Sequence, residues 1–412
     1  MNTEKDRRAP DTLNILWLTT KPPYPLIDGG RIAVYEPLRR LAARGHRITL
    51  LTFRPPEQNV AELAPLTEFC RLESLPNDTR TRPLAMARNL FSTLPYTVAK
   101  YQSPLMAQKL AELLARETFD LVHLEQLHMA GYQAISKGKW GVPTLLRQEN
   151  IESHLVERYW RAQTGVRRLY GRLLAARMRR YEAEQCTAVD GCLAITAEDA
   201  QRLRCLSPEA NVVVVPAGVD SERLQPAFDK ELPHTLVFVG SMDWLPNADA
   251  VLWFHREVLP LVRGECPEVQ FYVVGKNPPV AIQQLAEPET IHVTGFVADV
   301  EEYMAQTAVF VIPLRVGGGM RVKLLQALAM ARAVVSTSIG AEGIAVTHGQ
   351  DILLADNATE FARCVVQLLR DPELRMRLGQ NGRKLIETFY SWETATDSLE
   401  SAYRHAIQPK TR

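Results

Sequence analysis

Short apolar runs rich in β-branched and aromatic residues alternate along this chain with stretches whose apolar positions recur at helical spacing. Runs of the first kind occupy 14–20 (NILWLTT), 46–53 (HRITLLTF), 119–125 (FDLVHLE), 142–148 (VPTLLRQ), 190–196 (DGCLAIT) and 211–216 (NVVVVP), with an amphipathic helix predicted at 31–44. After a polar, proline-containing stretch at 220–233 the alternation starts again. Strands are predicted at 235–240, 269–275, 291–294, 309–314, 333–337 and 352–355, and helices at 249–263, 322–330 and 359–370. Such alternation implies parallel strands covered by helices on both faces, and it occurs twice. The fold class is therefore α/β: two doubly wound, Rossmann-like domains, 1–220 and 221–391, and a helical segment within 392–412.

Composition narrows the function. At 412 residues with 46% hydrophobic and 23% charged, each domain can bury its own core. Lys+Arg 48 against Asp+Glu 47 leaves a net charge of +1, so no global field recruits nucleic acid. The six cysteines (Cys70, Cys186, Cys192, Cys205, Cys266, Cys364) form no CxxC pair and have no histidine at ligand spacing, so reduced thiols and no metal site are expected. The opening MNTEKDRRAPDT is polar, and no apolar run approaches the ~18 residues that span a bilayer, which makes the cytoplasm the default compartment.

In doubly wound sheets ligands bind beyond the carboxyl ends of the strands, so the loops there carry the chemistry. After the first strand comes KPPYPLIDGGRIAVYE, where Gly29 and Gly30 stand at the mouth of a helix and bare backbone can approach an anion. A turn that simply needs positive φ is the other reading. No GxGxxG follows a predicted strand and no GxxxxGK[ST] occurs, which counts against a nicotinamide or flavin dehydrogenase and against a P-loop enzyme. The strongest signal is VFVIPL running into Arg315-Val316-Gly317-Gly318-Gly319-Met320-Arg321-Val322-Lys323 and then LLQALAM. Three glycines, a helix start and two cations converge there, which would suit a diphosphate; a flexible loop with solvated cations is the other reading. Residues two apart do not share a helix face, so both cations can serve only if Arg321 precedes the first full turn.

The segments PYPLIDGGR, PAGVD (216–220), FVGSMDWLPNADA (238–250) and PLRVGGGMRVKLLQALAM…VVSTSIGAEG together resemble the landmarks of family-4 glycosyltransferases of the GT-B fold, in the subgroup with a GGGxRxK loop. The resemblance implies two domains facing across a cleft and a closing helix that returns to the first. It also implies a nucleotide-sugar donor, a carbohydrate or lipid-linked acceptor, retention of anomeric configuration, no cofactor and no metal. By position it implies donor contacts from Gly29, Gly30, Gly240, Ser241, Gly317, Gly318 and Gly319, with Arg321 and Lys323 on the pyrophosphate. That family more often takes its cations from the loop after the first strand of the second domain, which here reads SMDWLPN and holds none. Its two glutamates, with seven residues between them, fall on Gly318 and Gln326. Gln326 can still hydrogen-bond a ribose.

On the acceptor side, Glu125 ends the strand FDLVHLE where relatives carry a functional histidine, and it is the first candidate to orient an acceptor hydroxyl or to stabilise positive charge at the anomeric carbon. His128 is the second candidate, a structural imidazole being its alternative. RQENIESH resembles the family's His-Asn-x-Glu segment, with Glu149 in the histidine position and Asn150 and Glu152 kept. Helix capping by Asn150 or Ser153 is the other reading. The following region, 157–184, carries Arg158, Arg161, Arg167, Arg168, Arg172, Arg177, Arg179 and Arg180 beside an apolar stripe of Val166, Leu169, Tyr170, Leu173 and Leu174. It suits either peripheral contact with an anionic membrane on its cytoplasmic face or a packed helix with a solvated basic side. A nucleotide-sugar epimerase and a non-catalytic nucleotide-sugar-binding subunit remain as alternatives to transfer.

Overall fold

The computed structural model describes residues 12–27, 29–161, 165–317 and 319–408, without the side chains of residues 158, 159, 161 and 166–169. Gly318 and the Arg158, Arg161, Val166, Arg167, Arg168 and Leu169 side chains singled out above thus lie outside the described residues. Contacts divide the chain into two compact units, Met1–Pro216 with Ala395–Arg412, and Ala217–Thr394.

Among the described residues the first unit is built on seven parallel strands: β1 (Asn14–Thr19), β2 (Arg47–Arg54), β3 (Arg71–Pro76), β4 (Leu121–Glu125), β5 (Thr144–Gln148), β6 (Gly191–Ala194) and β7 (Val212–Val214), in the order β3-β2-β1-β4-β5-β6-β7. Because both faces are covered, β1 is continuously apolar from Ile15 to Leu18 rather than alternating. Its Leu16 and Leu18 pack with Val122, Leu124 and Leu146. Ile15 and Trp17 point to the other face, among Leu121, Leu145, Leu193 and Leu399. The helices used below are α1 (Gly29–Ala43), α2 (Glu152–Arg161), α3 (Gly165–Ala188) and α4 (Ala197–Leu206).

Strand β3 is absent from the sequence expectation. It lies at the sheet edge, and its RLESLP has no apolar alternation to betray it. Arg71 pairs there with Glu73 and Glu117, the kind of charge that discourages further pairing along an edge.

Among its described residues the second unit has six parallel strands, β8 (Thr235–Val239), β9 (Gln270–Val274), β10 (Ile291–Gly295), β11 (Val309–Ile312), β12 (Val334–Ser336) and β13 (Leu353–Leu354), in the order β10-β9-β8-β11-β12-β13. Its helices include α5 (Leu245–Trp253), α6 (Val322–Ala329) and α7 (Ala358–Arg370). The helix predicted from 249 begins earlier, at Leu245, because Pro246 suits a first helical turn. In α7 the residues Phe361, Val365, Leu368 and Leu369 bury one stripe against the sheet, and the Asn357 side chain accepts the Glu360 N–H at 3.0 Å to start the helix.

The last helix, α8 (Trp392–Ile407), contributes its residues from Ala395 onward to the first unit, where Leu399, Ala402 and Tyr403 join the core beneath Ile15 and Trp17. In each sheet the strand order reverses once, between β1 and β4 and between β8 and β11. The crevices that ligands use open beyond the carboxyl ends at these places.

Candidate functional site

In the second unit the turns after β8, β9 and β11 meet. Gly275, directly after β9, has φ +151°, and a Cβ there would stand 1.8 Å from the Gly240 carbonyl oxygen, so only glycine lets the two turns touch. Gly240 follows β8. A Cβ on it would lie 2.6 Å from Asn247 Nδ2 and 2.8 Å from Lys323 Nζ. Asn247 stands in the first turn of α5, donates to the Ser241 carbonyl at 2.8 Å and accepts from Lys323 Nζ at 2.9 Å. Ser241 Oγ donates to Asp243 at 2.5 Å. Lys323, from α6, thus places its amino group beside the SMDWLPN loop, which itself holds no cation. The ammonium sits 4.2 Å from the centre of the Phe238 ring. Burial first, and then the Arg321 charge, bring the lysine down to about 7.

Arg321 is the N-cap residue of α6, with an extended backbone (φ −91°, ψ 97°), so it stands ahead of the helical turn that carries Lys323. This is the geometry that lets residues two apart serve one ligand. Its guanidinium is buried, 5.7 Å from the centre of the Trp244 ring. Gly317 has φ +138°, and a Cβ there would stand 2.6 Å from Arg321 Nη2. Gly319 also adopts positive φ. Gln326 is half-buried three residues after Lys323, on the same side of α6. Arg315, by contrast, is held by both oxygens of Asp249, at 3.1 and 2.6 Å. Trp244, Asn247 and Gly275 had no role in the sequence reading. For Gly275 a signal existed, a glycine directly after the strand residues VQFYVV, whereas Asn247 acquires its role only when α5 and α6 are brought together.

In the first unit Gly29 and Gly30 open α1, as the sequence implied. The expectation for Glu125 needs correction. Its carboxylate is 1% exposed and is not presented to a ligand. One oxygen lies 3.3 Å from Arg147 Nη1 and the other 3.1 Å from His123 Nε2. The physical reason is register: Glu125 and Arg147 are direct partners across β4 and β5. Burial pushes the Glu125 carboxyl up, but the Arg147 charge and the His123 bond outweigh it and hold it below the ordinary range. His123 is lowered by burial, against the pull of Glu125. His128 is likewise brought down to about 4 by burial and Lys100, and stands edge-on to Tyr101 at 5.2 Å, so it is a neutral imidazole.

Three further carboxyls gather where β5 runs into α2. Burial, followed by neighbouring carboxylates, raises both Glu149 and Glu152 to about 7. Glu182, on α3, is raised by burial to about 7 although it accepts the Glu152 N–H at 2.9 Å, the Ser153 N–H at 3.2 Å and the Ser153 hydroxyl. Glu182 is thus the group that caps α2, in place of Asn150 or Ser153, and its position 29 residues from Ser153 hid it from local reading. Asn150 is half-buried beside them.

These raised carboxyls carry a pH prediction. Unfolded glutamates lose their protons at about 4.3, so between there and about 7 the folded chain binds more protons than the unfolded one, and stability falls as pH rises through that window. Urea unfolding of the wild type and of Glu182→Gln at pH 5, 6 and 7 should show the larger decline in the wild type, by roughly 1–3 kcal/mol. Equal slopes would contradict the assignment.

The α3 arginines divide. Arg177 donates to the Asn89 and Leu90 carbonyls at 3.0 and 2.7 Å, and Arg180 to Thr93 at 3.3 Å, so these two are tied to the 89–93 loop. Arg172 and Arg179 instead line a cavity of about 800 Å³ among α2, α3 and α4, with Ile151, Trp160 and Leu206. Of the apolar stripe, Leu174 is buried and Leu173 is exposed. Among the described residues no helix is long and apolar enough to cross a membrane.

Comparison with known proteins defines the class. Residues 27–223 match the model of Glycosyltransferase Family 4, and residues 233–371 match Glycosyl transferases group 1. A 44.6 kDa protein in the cps region of Klebsiella pneumoniae is 22% identical over 401 residues, covering 93% of this chain and 98% of that one. The MMP alpha-(1->4)-mannosyltransferase of Mycolicibacterium hassiacum is 24% identical, covering 90% of this chain and 92% of its own. Among solved structures, Anabaena HepE in complex with UDP superposes with a TM-score of 0.67 at 13% identity, covering 95% of this chain and all of that one, and so shares the fold. The chain is a GT-B-fold enzyme, and it belongs to the group-1 glycosyltransferases.

Proposed function

We propose that this glycosyltransferase moves a hexosyl group from a nucleoside-diphosphate sugar to a carbohydrate or lipid-linked acceptor, with retention and without a metal, in polysaccharide or glycoconjugate biosynthesis. The observation that carries the reading is the convergence of Gly240, Gly317, Arg321 and Lys323 beyond β8 and β11. As the glycosidic bond to the donor breaks, negative charge grows on the β-phosphate. Cations already fixed in place and shielded from water stabilise it without reorganising. Arg321 is such a cation, Lys323 becomes one as the diphosphate binds, and the backbone N–H groups of Gly317 and Gly319 add to them. Gln326 bonds the ribose.

The acceptor side rests on the first unit, with Asn150 and Glu152 as candidate contacts. The cavity among α2, α3 and α4, cationic through Arg172 and Arg179 and apolar through Ile151, Trp160 and Leu206, suits an amphiphile with an anionic head. It supports a lipid-linked acceptor met at the cytoplasmic face of a membrane, with the exposed part of α3 in peripheral contact.

UDP-glucose and GDP-mannose serve as donor probes. Each is incubated with the enzyme, with and without polyprenyl-phosphate-linked acceptors, and melting temperature and nucleoside diphosphate release are followed. Transfer predicts a thermal shift with one donor and acceptor-dependent release. Conversion of the donor without acceptor would establish the epimerase, and a shift without release the non-catalytic subunit.

A further inference from the structure

Pro37 lies inside α1. It has no N–H, so the carbonyl of Ala33, four residues earlier, loses the donor that a regular helix supplies. Arg147 fills the gap from β5: its Nη1 stands 3.0 Å from the Ala33 oxygen. The same guanidinium holds Glu125 at 3.3 Å, Glu125 holds His123 Nε2 at 3.1 Å, and His123 Nδ1 meets the Tyr403 hydroxyl of α8 at 2.7 Å. Every member from Tyr403 to Arg147 is at most 1% exposed. Trp17 stacks on the His123 ring with centroids 3.7 Å apart.

The polarity of the chain is determined by its ends. A carboxylate can only accept, so His123 donates from Nε2, and its bare Nδ1 accepts the Tyr403 O–H. Water does not reach these groups, so each depends on its neighbour for satisfaction, and loss of one leaves a buried polar atom unmet. Such a chain is more than a core needs. A hydrophobic core of this size would close without an ion pair, and a buried ion pair is weak support for stability.

We propose that Tyr403, His123, Glu125 and Arg147 are positioning residues that fix the amino half of α1, and with it the Gly29-Gly30 opening, by supplying the hydrogen bond that Pro37 cannot. The inference deepens the transfer reading only in giving that opening a ligand; the restraint on α1 stands without it.

Hydrogen exchange over 29–36, followed by mass spectrometry on the full chain, tests this. The variants are Arg147→Lys, Tyr403→Phe, Pro37→Ala and the double variant Pro37→Ala/Arg147→Lys. Arg147→Lys should speed exchange over 29–36 by about tenfold, the share of one charge-assisted hydrogen bond, with strand peptides of the second unit unchanged. Tyr403→Phe should act in the same direction with a smaller factor, and it keeps the ring that the core packs. In the Pro37→Ala background residue 37 regains an N–H for the Ala33 carbonyl, and the Arg147→Lys effect should largely vanish. With an active donor, the single variants should raise KM more than they lower kcat. Unchanged exchange in both single variants, or an Arg147→Lys effect as large in the Pro37→Ala background as in the wild type, overturns the proposal. Because exchange needs no donor, that failure is separate from a failure of the transferase reading.

Discussion

Replacing Lys323 by Ala is expected to lower kcat/KM for the donor by roughly 10²–10³-fold, and Arg321→Ala by a similar factor, since under the proposed function each removes a positive group from the place where phosphate charge develops. The two substitutions should combine to less than the product of their effects, because the groups repel one another and share one ligand. Lys323 adds a signature of its own. Its ammonium is brought down to about 7 by burial and by Arg321, so in the free enzyme it is largely neutral above that pH. A bound diphosphate favours the charged form. Binding above about 7 therefore takes up a proton, and affinity should weaken by up to about tenfold per pH unit in that range. Calorimetry with UDP and GDP in buffers of different ionisation enthalpy measures this uptake directly. Lys323→Met should abolish it and leave a pH-flat, weaker affinity. A wild-type affinity that is already flat from pH 7 to 9 would remove Lys323 from the phosphate site.

Gly275→Ala is expected to cost roughly 2–4 kcal/mol of stability and to damage donor binding with it. The residue combines φ +151° with a backbone oxygen 1.8 Å from where the new methyl would stand. Neither problem can be relieved by a side-chain rotation, because the obstacle is the Gly240 carbonyl. The turn after β8 must move, and that turn places Ser241 against Asn247 and Asn247 against Lys323. Gly264→Ala is the matched control: its methyl would meet nothing within 4 Å, so it should be neutral or slightly stabilising. Denaturant unfolding of the two variants, with nucleotide affinity measured on whatever folds, separates the cases. Equal stability of Gly275→Ala and wild type would show that the turns tolerate separation.

Much of this molecule was legible because parallel strands are buried on both faces and announce themselves as apolar runs. NILWLTT, TLVFVG and VFVIPL were found for that reason, and the glycines after them marked the turns beyond the strand ends. β3 escaped because an edge strand with Arg71 and Glu73 obeys a different rule. Lys323 was legible as a charge near glycines, but its partner Asn247 was not, since the two are 76 residues apart. Glu125 shows the limit most clearly. A carboxylate ending an apolar strand demands either a partner or a task, and local sequence cannot choose. The partner, Arg147, stands in plain view in TLLRQ, yet it faces Glu125 only once β4 and β5 are known to be neighbours in that register. Glu182 as the cap of α2 was hidden in the same way, by distance along the chain.

The hydrogen bond between Tyr403 and His123 joins residues 280 positions apart. During synthesis the first unit emerges early but lacks Leu399, Ala402 and Tyr403, which complete the layer under β1. Until the ribosome has made them, Trp17 and His123 have an open flank, and the whole second unit is translated while its predecessor waits unfinished. A stalled nascent chain ending before α8 should accordingly be protease-sensitive in the first unit, and maturation of that unit should follow release of the final helix.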